Sequence, residues 1–485
     1  MLILYVLNFS FRNIVVRIGS MPMLPLTLAL ICGIVASAHF AVHWAVWLAL
    51  CGVSLVVARW YRVVVLAALF AFGGFIYSIH SFDYLPHNQR LRLIVEVTDE
   101  GIDYGRFSTC AAEVIGCQGH PRHARVRLTT DSLTLLRQGD VVEFYGYVRP
   151  FTPVGSDYSR SMARQGYSGR VTIHRGAIVS HTPAPTKSLH SRAVERLKGL
   201  TPQSAGRDVA LSVTLGTRTI SGTELAKEYS LSGASHLLAV SGLHVGLVFV
   251  LLNMLLFPLA YLWRGNIIRA VAVVAMVWVY VALCGYPTSA IRAAIMFSVL
   301  QLSYIAKSRH LPENSLCATA FIMLAFDPYM LFELSFELSF VAVMAILFIA
   351  RPIISAVHCR GFVGGIVDAL AISTACVVST APLVSNSFGV VSLLSIVVTP
   401  LALVTSQVII VCNIAALVLP EAVARITAQS AAWCGTVQNS IVEWFVSTGF
   451  GYAEYRVDNT AMALCYTLLA LFVLLRLGIR WEKRE

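Results

Sequence analysis

Hydrophobic segments of roughly 20 residues recur along most of this sequence, and each is long enough to cross a hydrocarbon layer of roughly 30 Å as an α-helix. Residues 81–199 contain no such segment. Hydrophobic residues make up 57% of the 485 positions and charged residues only 13%, a composition that excludes an ordinary water-soluble globular protein. The sequence therefore predicts a polytopic α-helical membrane protein. It divides into N-terminal transmembrane helices (1–80), an inserted soluble domain (81–199) and a long transmembrane domain (200–485).

Three crossings are predicted in the N-terminal unit, at residues 24–39, 40–58 and 63–80. The segment before them is apolar but is interrupted by Arg12 and Arg17, and no clear small-residue cleavage site follows it. We therefore predict no removable signal peptide. Two alternatives stay open for this segment: an interfacial helix, or translation that starts at Met21 or Met23 instead of Met1.

Lys and Arg in short loops set the orientation of the crossings, because loops rich in these residues stay on the cytoplasmic side. Arg59 and Arg62 therefore place their loop inside and the inserted domain outside. Basic pairs recur at every second loop, which supports the same placement: Arg264 with Arg269, Lys307 with Arg309, and Arg351 with Arg360. We expect roughly ten crossings plus an amphipathic segment at 421–446. Residues 390–419 form one long crossing or a re-entrant turn and a crossing, so the side of the C-terminus stays open.

The inserted domain has the pattern of β structure. Alternating runs separated by Gly, Pro and Asp turn residues predict five short strands and a small all-β barrel: RLIVEVTDE, FSTCAAEVIGC, ARVRLTTD, DVVEFYGYVRPF and SGRVTIHRGAIVS. In the segment GDVVEFYGYVRP a Gly-Asp turn opens an alternating strand. This is compatible with an OB-like fold, whose surface often binds oligonucleotides.

Basic residues outnumber acidic residues in the inserted domain, and aromatic residues accompany them. One interpretation is a DNA-guiding surface, because arginines contact phosphates and aromatic rings stack on bases. The alternative is that the aromatic side chains fill the barrel core and the arginines contact anionic lipid headgroups. The formal net charge of +11 suits both. The candidates are Arg122, Arg125, Arg127, Arg160, Arg164, Arg170, Arg175, Phe107, Tyr145, Tyr147 and Phe151.

Two of the 11 cysteines, Cys110 and Cys117, lie in the inserted domain. An oxidising exterior would favour a disulfide between them, and a pair of buried free thiols is the alternative. No third or fourth His or Cys stands at ligand spacing, so the sequence predicts no metal site.

The segment ASHLLAVSGLHVGLVFVLL combines small and polar residues in an apolar context. Small residues recur at four, three and four positions and predict a stripe along one helical face where another helix approaches closely: Ser235, Ala239, Gly242 and Gly246. Ser241 and His244 are three residues apart and share another face, and His236 lies one to two turns earlier.

Three interpretations of these polar residues stay open, because polar groups at membrane depth need a partner or water. The first is a Ser241–His244 hydrolase, which is disfavoured because no Asp or Glu lies nearby to orient the imidazole and no nucleophile elbow is present. The second is helix packing through inter-helix hydrogen bonds. The third is a polar lining for a conducting path.

The segment SHLLAVSGLHVG resembles the signature of the ComEC family, bacterial membrane channels that take up single-stranded DNA during transformation. Four further stretches resemble family blocks in the family's order, with Thr217 where Asp is usual and Glu337 where Gln is usual. Their matching residues are Gly216, Arg218, Glu224, Ser289, Arg292, Asp327, Pro328, Thr380, Pro382, Phe388, Gly389 and Pro400. The inserted domain resembles the family's N-terminal domain at Asp157, Tyr158, Arg164, Gln165 and Gly166.

The resemblance implies a channel, not an enzyme, in the bacterial cytoplasmic membrane that passes single-stranded DNA. The residues that we expect along the DNA path are His236, Ser241, His244, Arg218, Arg292 and Glu337. Arg292 is a candidate for phosphate contact, and a structural ion pair with Glu337 or Asp327 is the alternative. A transporter or envelope scaffold that acts on another polyanion is the second functional hypothesis.

The sequence also predicts which activities other proteins supply. It has no GxxxxGK[ST] phosphate loop and no metallo-β-lactamase-like domain after the membrane segments, so we expect no cofactor, no ATP site and no nuclease in this chain. The resemblance implies a cytoplasmic helicase or DNA-binding motor, an extracytoplasmic DNA receptor or pilus, and a separate nuclease. Membrane lipid and further copies of the chain are the remaining expected partners.

Overall fold

The computed structural model describes residues 22–40, 43–58, 64–79, 85–86, 89–99, 101–103, 107–118, 120–131, 136–151, 157–183, 188–217, 223–305, 312–357, 361–448 and 451–482. The loop residues used above for orientation that fall outside these ranges are Arg59, Arg62, Lys307, Arg309 and Arg360. The alternative starts Met1 and Met21 also lie outside the described residues.

The chain contains helices connected by short loops and one β domain. The helices are α1 (Met23–His39), α2 (Trp44–Ala58), α3 (Val64–Ile79), α4 (Asp157–Arg164), α5 (Leu189–Leu200), α6 (Ala205–Leu215), α7 (Glu224–Leu231), α8 (Gly242–Leu255), α9 (Gly265–Leu283), α10 (Thr288–Ile305), α11 (Pro312–Phe326), α12 (Leu334–Ala345), α13 (Arg351–Val357), α14 (Gly361–Phe388), α15 (Ser395–Val418), α16 (Glu421–Ser447) and α17 (Asn459–Glu482). The strands are β1 (Arg90–Val97), β2 (Ile102–Asp103), β3 (Phe107–Cys117), β4 (His120–Asp131), β5 (Val141–Pro150), β6 (Tyr167–Ile173), β7 (Ile178–Thr182), β8 (Val390–Ser392) and β9 (Tyr452–Glu454).

Within the described ranges, four helices are long and apolar enough to cross a membrane: α9, the continuous helix Leu334–Val357, α14 and α15. The prediction of a mainly helical chain with candidate membrane spans is therefore confirmed. The three N-terminal helices are apolar but shorter, with 17, 15 and 16 residues. Residues 395–418 form one helix of 24 residues, and α16 occupies the segment for which an amphipathic helix is predicted.

The chain forms two compact units, and the first comprises Met1–His80, Ser298–Val391 and Ala453–Glu485. In this unit α1 and α3 meet at glycines. A Cβ atom on Gly33 would lie 1.9 Å from the carbonyl oxygen of Phe70, so the two backbones are in contact at a distance that only glycine permits. The Ser37 and Ser78 hydroxyls are 2.9 Å apart between the same helices.

The second unit comprises Ser81–Phe297 and Ser392–Tyr452 and contains the β domain. β1 pairs with both β3 and β5, β3 pairs with β4, β4 pairs in parallel with β6, and β6 pairs with β5. These pairings close a five-stranded barrel, which confirms the predicted small β-barrel. Side chains alternate between a buried interior and the surface, as the sequence pattern requires. The interior is filled by aliphatic residues and one aromatic ring, including Leu91, Leu93, Val95, Val126, Leu128, Val142, Phe144, Val148 and Val171.

The barrel contradicts the predicted Cys110–Cys117 disulfide. Both cysteines are buried on strand β3, seven residues apart. Because an extended strand rises about 3.3 Å per residue, their Cα atoms are separated by roughly 20 Å, whereas a disulfide requires less than about 7 Å. The buried-thiol alternative is the correct one for Cys110, whose pKa is raised to about 12 by burial, with further effects from neighbouring charges.

The helices of the second unit pack around α15 and α16. Buried residues of both helices belong to one apolar cluster with residues of α6, α8, α9 and α10, and this cluster includes Val213, Val245, Val277, Ile409 and Ala431. Gly206 on α6 and Gly435 on α16 let the two backbones touch, since a Cβ atom on Gly435 would lie 2.1 Å from the carbonyl oxygen of Gly206. This unit therefore holds the signature segment against a close-packed helical core.

Candidate functional site

The segment SHLLAVSGLHVG, residues 235–246, is the signature segment, and it is not part of one continuous helix. α7 ends at Leu231, a 3-10 turn covers Ser235–Leu237, and α8 begins at Gly242. Gly233 breaks the helix because it lies in the left-handed region, with φ of 75°. A Cβ atom there would also lie 2.8 Å from Cβ of Ser395 on α15, so glycine is required by packing as well.

The predicted stripe of small residues is consequently wrong for its first two members. Ser235 belongs to the 3-10 turn and Ala239 to the irregular segment before α8, so neither shares a helical face with Gly242 and Gly246. The two glycines lie on α8 against α10: a Cβ atom on Gly246 would lie 3.1 Å from the Phe297 ring.

Ser241 and His244 form a reciprocal cap at the start of α8. The Ser241 hydroxyl oxygen accepts the His244 amide at 3.4 Å, and Nδ1 of His244 accepts the Ser241 amide at 3.3 Å. Because Nδ1 accepts a hydrogen bond, the ring is neutral and carries its proton on Nε2. This cap satisfies two of the amides that a helix N-terminus leaves without partners.

The cap also decides what this pair can do chemically. A hydrolase requires the imidazole to accept the serine hydroxyl proton, but Nδ1 is occupied by a backbone amide. The geometry therefore gives no support to the hydrolase hypothesis. His244 is 2% exposed, and its Nε2 has no hydrogen-bond partner among the residues that the structure describes.

The segment before α8 is fixed by one neighbouring hydroxyl. Ser289, at the start of α10, donates its hydroxyl proton to the carbonyl oxygen of Val240. His236 is exposed, and its Nδ1 is 3.1 Å from the carbonyl oxygen of Gly233. The structure thus places Ser241, His244 and Ser289 together, with His236 at the edge of the same segment.

The remaining path candidates are distributed over both units. Arg292 is 4% exposed on α10 of the second unit. Glu337 is exposed in the first turn of α12 in the first unit. Asp327, also in the first unit, accepts the amide of Tyr329 at 3.0 Å and so begins the turn after α11. Arg218 lies outside the described residues.

Sequence reasoning missed a buried polar cluster around Thr214 at the end of α6. The Tyr280 hydroxyl donates to the Thr214 carbonyl oxygen at 3.0 Å. Asn413 on α15 donates to the Thr214 hydroxyl oxygen at 2.9 Å and to the Ala210 carbonyl oxygen at 3.2 Å. The signal that could have found this cluster is a lone Asn within the long apolar run of α15.

The barrel carries a row of three arginines on neighbouring strands. Arg127 on β4 lies opposite Arg170 on β6, and Arg170 lies opposite Arg149 on β5. Arg170 and Arg149 are exposed, and Arg127 is 3.8 Å from a carboxylate oxygen of Asp99. Neighbouring strands are about 4.8 Å apart, so three guanidinium groups are concentrated on one patch of the surface. We call these three residues the arginine row.

Arg149 was missed by sequence reasoning, although it continues the outward alternation of Tyr145 and Tyr147 on β5. Both tyrosines are exposed, at 38% and 57%, and the Arg90 guanidinium lies 5.3 Å from the Tyr145 ring centre. The alternative in which these aromatic rings fill the core is therefore wrong, because Phe144 occupies that position instead.

The other predicted surface candidates are more dispersed. Arg125 on β4 is half-buried opposite Glu113 on β3, and Arg164 is exposed at the end of α4. Arg122 belongs to β4, but its side chain lies outside the described part of the chain. Arg92 on β1 forms an ion pair with Glu143 on β5, so the face beside the tyrosines is not uniformly positive.

A family model described as Competence protein matches residues 213–482, which is more than half of the chain. The match includes the Ser241–His244 cap, Arg292 and Glu337. The barrel lies before it.

Two curated proteins are similar to parts of the chain. ComE operon protein 3 of Bacillus subtilis (strain 168) is 33% identical over 141 residues, which is 29% of this chain and 18% of that protein. An uncharacterized protein of Aquifex aeolicus (strain VF5) is 32% identical over 216 residues, which is 44% of this chain and 48% of that protein. The aligned residues therefore span less than half of either relative. No solved structure matches the chain.

Proposed function

The chain belongs to the competence protein family, and we propose that it acts in DNA uptake for transformation as a channel that passes single-stranded DNA across the bacterial cytoplasmic membrane. The observation that carries the proposal is the arginine row on a barrel that shares its chain with candidate membrane spans. Like charges directly opposite each other destabilise a sheet. A polyanion bound at this patch would remove that repulsion and release counterions.

The barrel is proposed to be OB-like and extracytoplasmic. In chain order the five barrel strands are β1, β3, β4, β5 and β6. The third and fifth, β4 and β6, pair in parallel, and the first, β1, pairs with the fourth, β5. This order supports a Greek-key barrel of the OB-like kind. The basic residues Arg264, which precedes α9, and Arg269, in its second turn, support a cytoplasmic position for the loop between α8 and α9, and hence an external one for the barrel.

DNA would first meet the barrel surface. The proposed guiding surface comprises Arg122, Arg125, Arg127, Arg164, Arg170, Tyr145 and Tyr147, to which Arg149 is added. Arginines bind the phosphate backbone without regard to sequence, and the exposed tyrosine rings offer stacking faces to bases. These are the properties that uptake of DNA of any sequence requires.

The proposed path through the membrane unit includes His236, Ser241, His244, Arg218, Arg292 and Glu337. Two observations support it. Arg292 and His244 are ionisable or polar side chains buried among apolar helices, and such residues mark ion and substrate pathways in membrane proteins. The break between α7 and α8 is irregular backbone, which membrane proteins tolerate only inside protein or beside a water-filled cavity.

The proposed partners follow from the chemistry that the channel would need. Single-stranded DNA is the substrate, and membrane lipid surrounds the helices. An extracytoplasmic receptor or pilus would deliver the DNA, a cytoplasmic helicase or DNA-binding motor would pull it, and a separate nuclease would remove the other strand. Further copies of the chain would complete a pore.

A second candidate function has one observation in its favour. The arginine row binds charge and not base sequence, so another envelope polyanion would fit it equally well. In that case the protein would be a transporter or scaffold for that polymer.

Cell-level uptake distinguishes these functions. In cells whose own copy is deleted, we would supply the full-length chain, the Arg149→Glu/Arg170→Glu variant, or the control Arg192→Glu/Lys198→Glu, which makes the same charge change at two exposed positions on α5. Internalised labelled DNA and transformation frequency are the measurements. We expect deletion to abolish both, the double variant to lower both by about tenfold or more, and the control to match the unsubstituted chain.

Normal uptake in the deletion strain would overturn the channel proposal. Normal uptake with the double variant, at equal protein abundance, would remove the arginine row from the DNA route. Loss of uptake accompanied by loss of envelope polymer export would favour the second candidate.

A further inference from the structure

α16 lies beside α15 along nearly its whole length. The contacts run antiparallel: Val442 packs with Val398, Gln438 accepts the hydroxyl of Thr405 at 3.0 Å, and Ala424 packs in the cluster that contains Ala416. The contacting stretches, 398–416 and 424–442, are each roughly 27 Å long at 1.5 Å per residue. Because α15 is a candidate span, α16 occupies the same depths in the membrane.

α16 is long enough to be a span, with 27 residues, but it is not among the helices that are apolar enough. The reason is its exposed surface, which divides into two flanks at 100° per residue. The apolar flank comprises the exposed Ile426, Trp433 and Trp444 and the half-buried Val437; the exposed Ser430 lies beside them and donates its hydroxyl to the Ile426 carbonyl oxygen at 3.0 Å. The polar flank comprises Arg425, Gln429, Thr436, Ser440 and Glu443, all of which are exposed. Arg425 pairs with Glu421 in the first turn, and Thr436 borders α6, since a Cβ atom on Gly206 would lie 2.2 Å from its hydroxyl oxygen.

The two flanks need different surroundings. Ile426, Trp433 and Trp444 are 65%, 68% and 63% exposed, which suits contact with lipid. The polar flank does not suit lipid: the Thr436 hydroxyl can donate to its own helix, at Ala432, but a glutamine amide and a carboxylate in hydrocarbon require water or a partner.

We propose that the polar flank of α16 faces water inside the membrane and forms part of the wall of an aqueous path. Its middle positions, Gln429, Thr436 and Ser440, carry no charge, and Glu443 lies near the end of the helix. A wall of uncharged hydrogen-bonding groups wets the path without holding a passing polyanion tightly, as conduction requires. That the passing polymer is DNA rests on the proposed function, whereas the water-facing assignment does not.

Adjacent residues on α16 provide matched controls, since Glu443 and Trp444 are both exposed and differ in depth by about 1.5 Å but point about 100° apart. Single variants Gln429→Cys, Glu443→Cys, Ile426→Cys and Trp444→Cys of the full chain in native membranes would be treated with a membrane-impermeant, negatively charged methanethiosulfonate reagent. The unsubstituted chain gives the background from native cysteines. The rate of labelling is the measurement.

We expect Cys at 429 and 443 to react about tenfold or more faster than Cys at 426 and 444, because only a thiol in water ionises and meets the reagent. Equal rates on both flanks would overturn the proposal by placing the whole helix in water. Lack of labelling at 429 and 443, in variants that retain normal abundance, would overturn it by placing the polar flank against protein or lipid. No DNA is needed for this result, so its failure is distinguishable from failure of the uptake experiment.

Discussion

The backbone amide of Ser241 donates to Nδ1 of His244 at 3.3 Å, while the His244 amide donates to the Ser241 hydroxyl oxygen at 3.4 Å. This reciprocal pair begins α8 immediately after the broken part of the signature segment. It explains both residues by helix capping, and it fixes the neutral form of the imidazole with its Nε2 proton directed into a buried environment. The geometry of this pair therefore supports a capping role and gives no support to nucleophilic catalysis by Ser241.

Ser241→Ala should remove the cap and lower the free energy of unfolding by about 1 kcal/mol, whereas Ser241→Asn should retain most of the stability, because asparagine is an equally good cap. Thermal unfolding of the purified protein in detergent measures this. DNA uptake should follow stability in both variants. If a Ser241→Thr variant retained uptake and a stably folded Ser241→Asn variant lost it, the result would instead assign a role to the hydroxyl group itself.

Arg149→Ala should weaken binding of single-stranded DNA and reduce its salt dependence, because each phosphate contact with a single strand contributes about 0.7 to the slope of log K against log salt concentration. Fluorescence anisotropy of labelled oligonucleotides on the full chain in nanodiscs, over a series of salt concentrations, measures the slope. Lys198→Ala is the control and should leave the slope unchanged. An unchanged slope for Arg149→Ala would exclude this arginine from phosphate contact.

Cys110 should be unreactive and not linked to Cys117. Burial raises its pKa to about 12, from 9.0, so the folded barrel favours the protonated thiol. The contribution of the protonated Cys110 thiol to the free energy of unfolding is fully present below pH 9. It is lost as the pH rises from about 9 to about 12, because the thiol ionises first in the unfolded chain. Cys110→Ala should remove the part of the alkaline loss of stability that comes from this thiol.

Two measurements check this prediction. Alkylation of the folded protein at neutral pH, followed by mass spectrometry, should leave Cys110 unmodified, and denaturation without a reductant should recover both cysteines as thiols. Unfolding followed by circular dichroism between pH 8 and pH 12 should show a larger alkaline loss of stability in the unsubstituted chain than in Cys110→Ala. A non-reduced peptide that joins Cys110 to Cys117 would contradict the strand assignment of β3.

Asn413→Leu should destabilise the second unit by about 0.6 to 1.7 kcal/mol, the range for hydrogen bonds between membrane helices, because its amide bridges two acceptors on α6. Asn253→Leu is the matched control, since that amide donates to Phe249 on its own helix. A double-variant cycle with Thr214→Val measures the coupling in detergent. Additive losses from Thr214→Val and Asn413→Leu would exclude a direct bond between them.

Several features followed from local sequence patterns alone. Five alternating runs predicted the five barrel strands, because side chains on a strand alternate between its two faces whatever the neighbouring strand is. The lack of charge over long segments predicted helices such as α9 and α15. The start of α8 also had a local signal, since Ser241 before an apolar run is a favourable helix cap, but the regular spacing of small residues favoured one continuous helix.

The errors arose where distant segments meet. Cys110 and Cys117 were paired because both lie in the inserted domain, whereas their distance is set by the length of one uninterrupted strand. Gly233 was not recognised as a break, because the reason for it includes Ser395 on a helix more than 150 positions away. Packing of this kind has no periodicity that a sequence window can detect.

The sequence by itself determined that the chain has helices apolar enough to span a membrane and a β domain, because hydrophobicity and alternation are properties of neighbouring residues. The tertiary structure alone decided that Arg127, Arg170 and Arg149 lie in one row, since register between β4, β5 and β6 depends on barrel closure. It also decided which flank of α16 is left exposed, because that depends on which residues α15 and α6 cover.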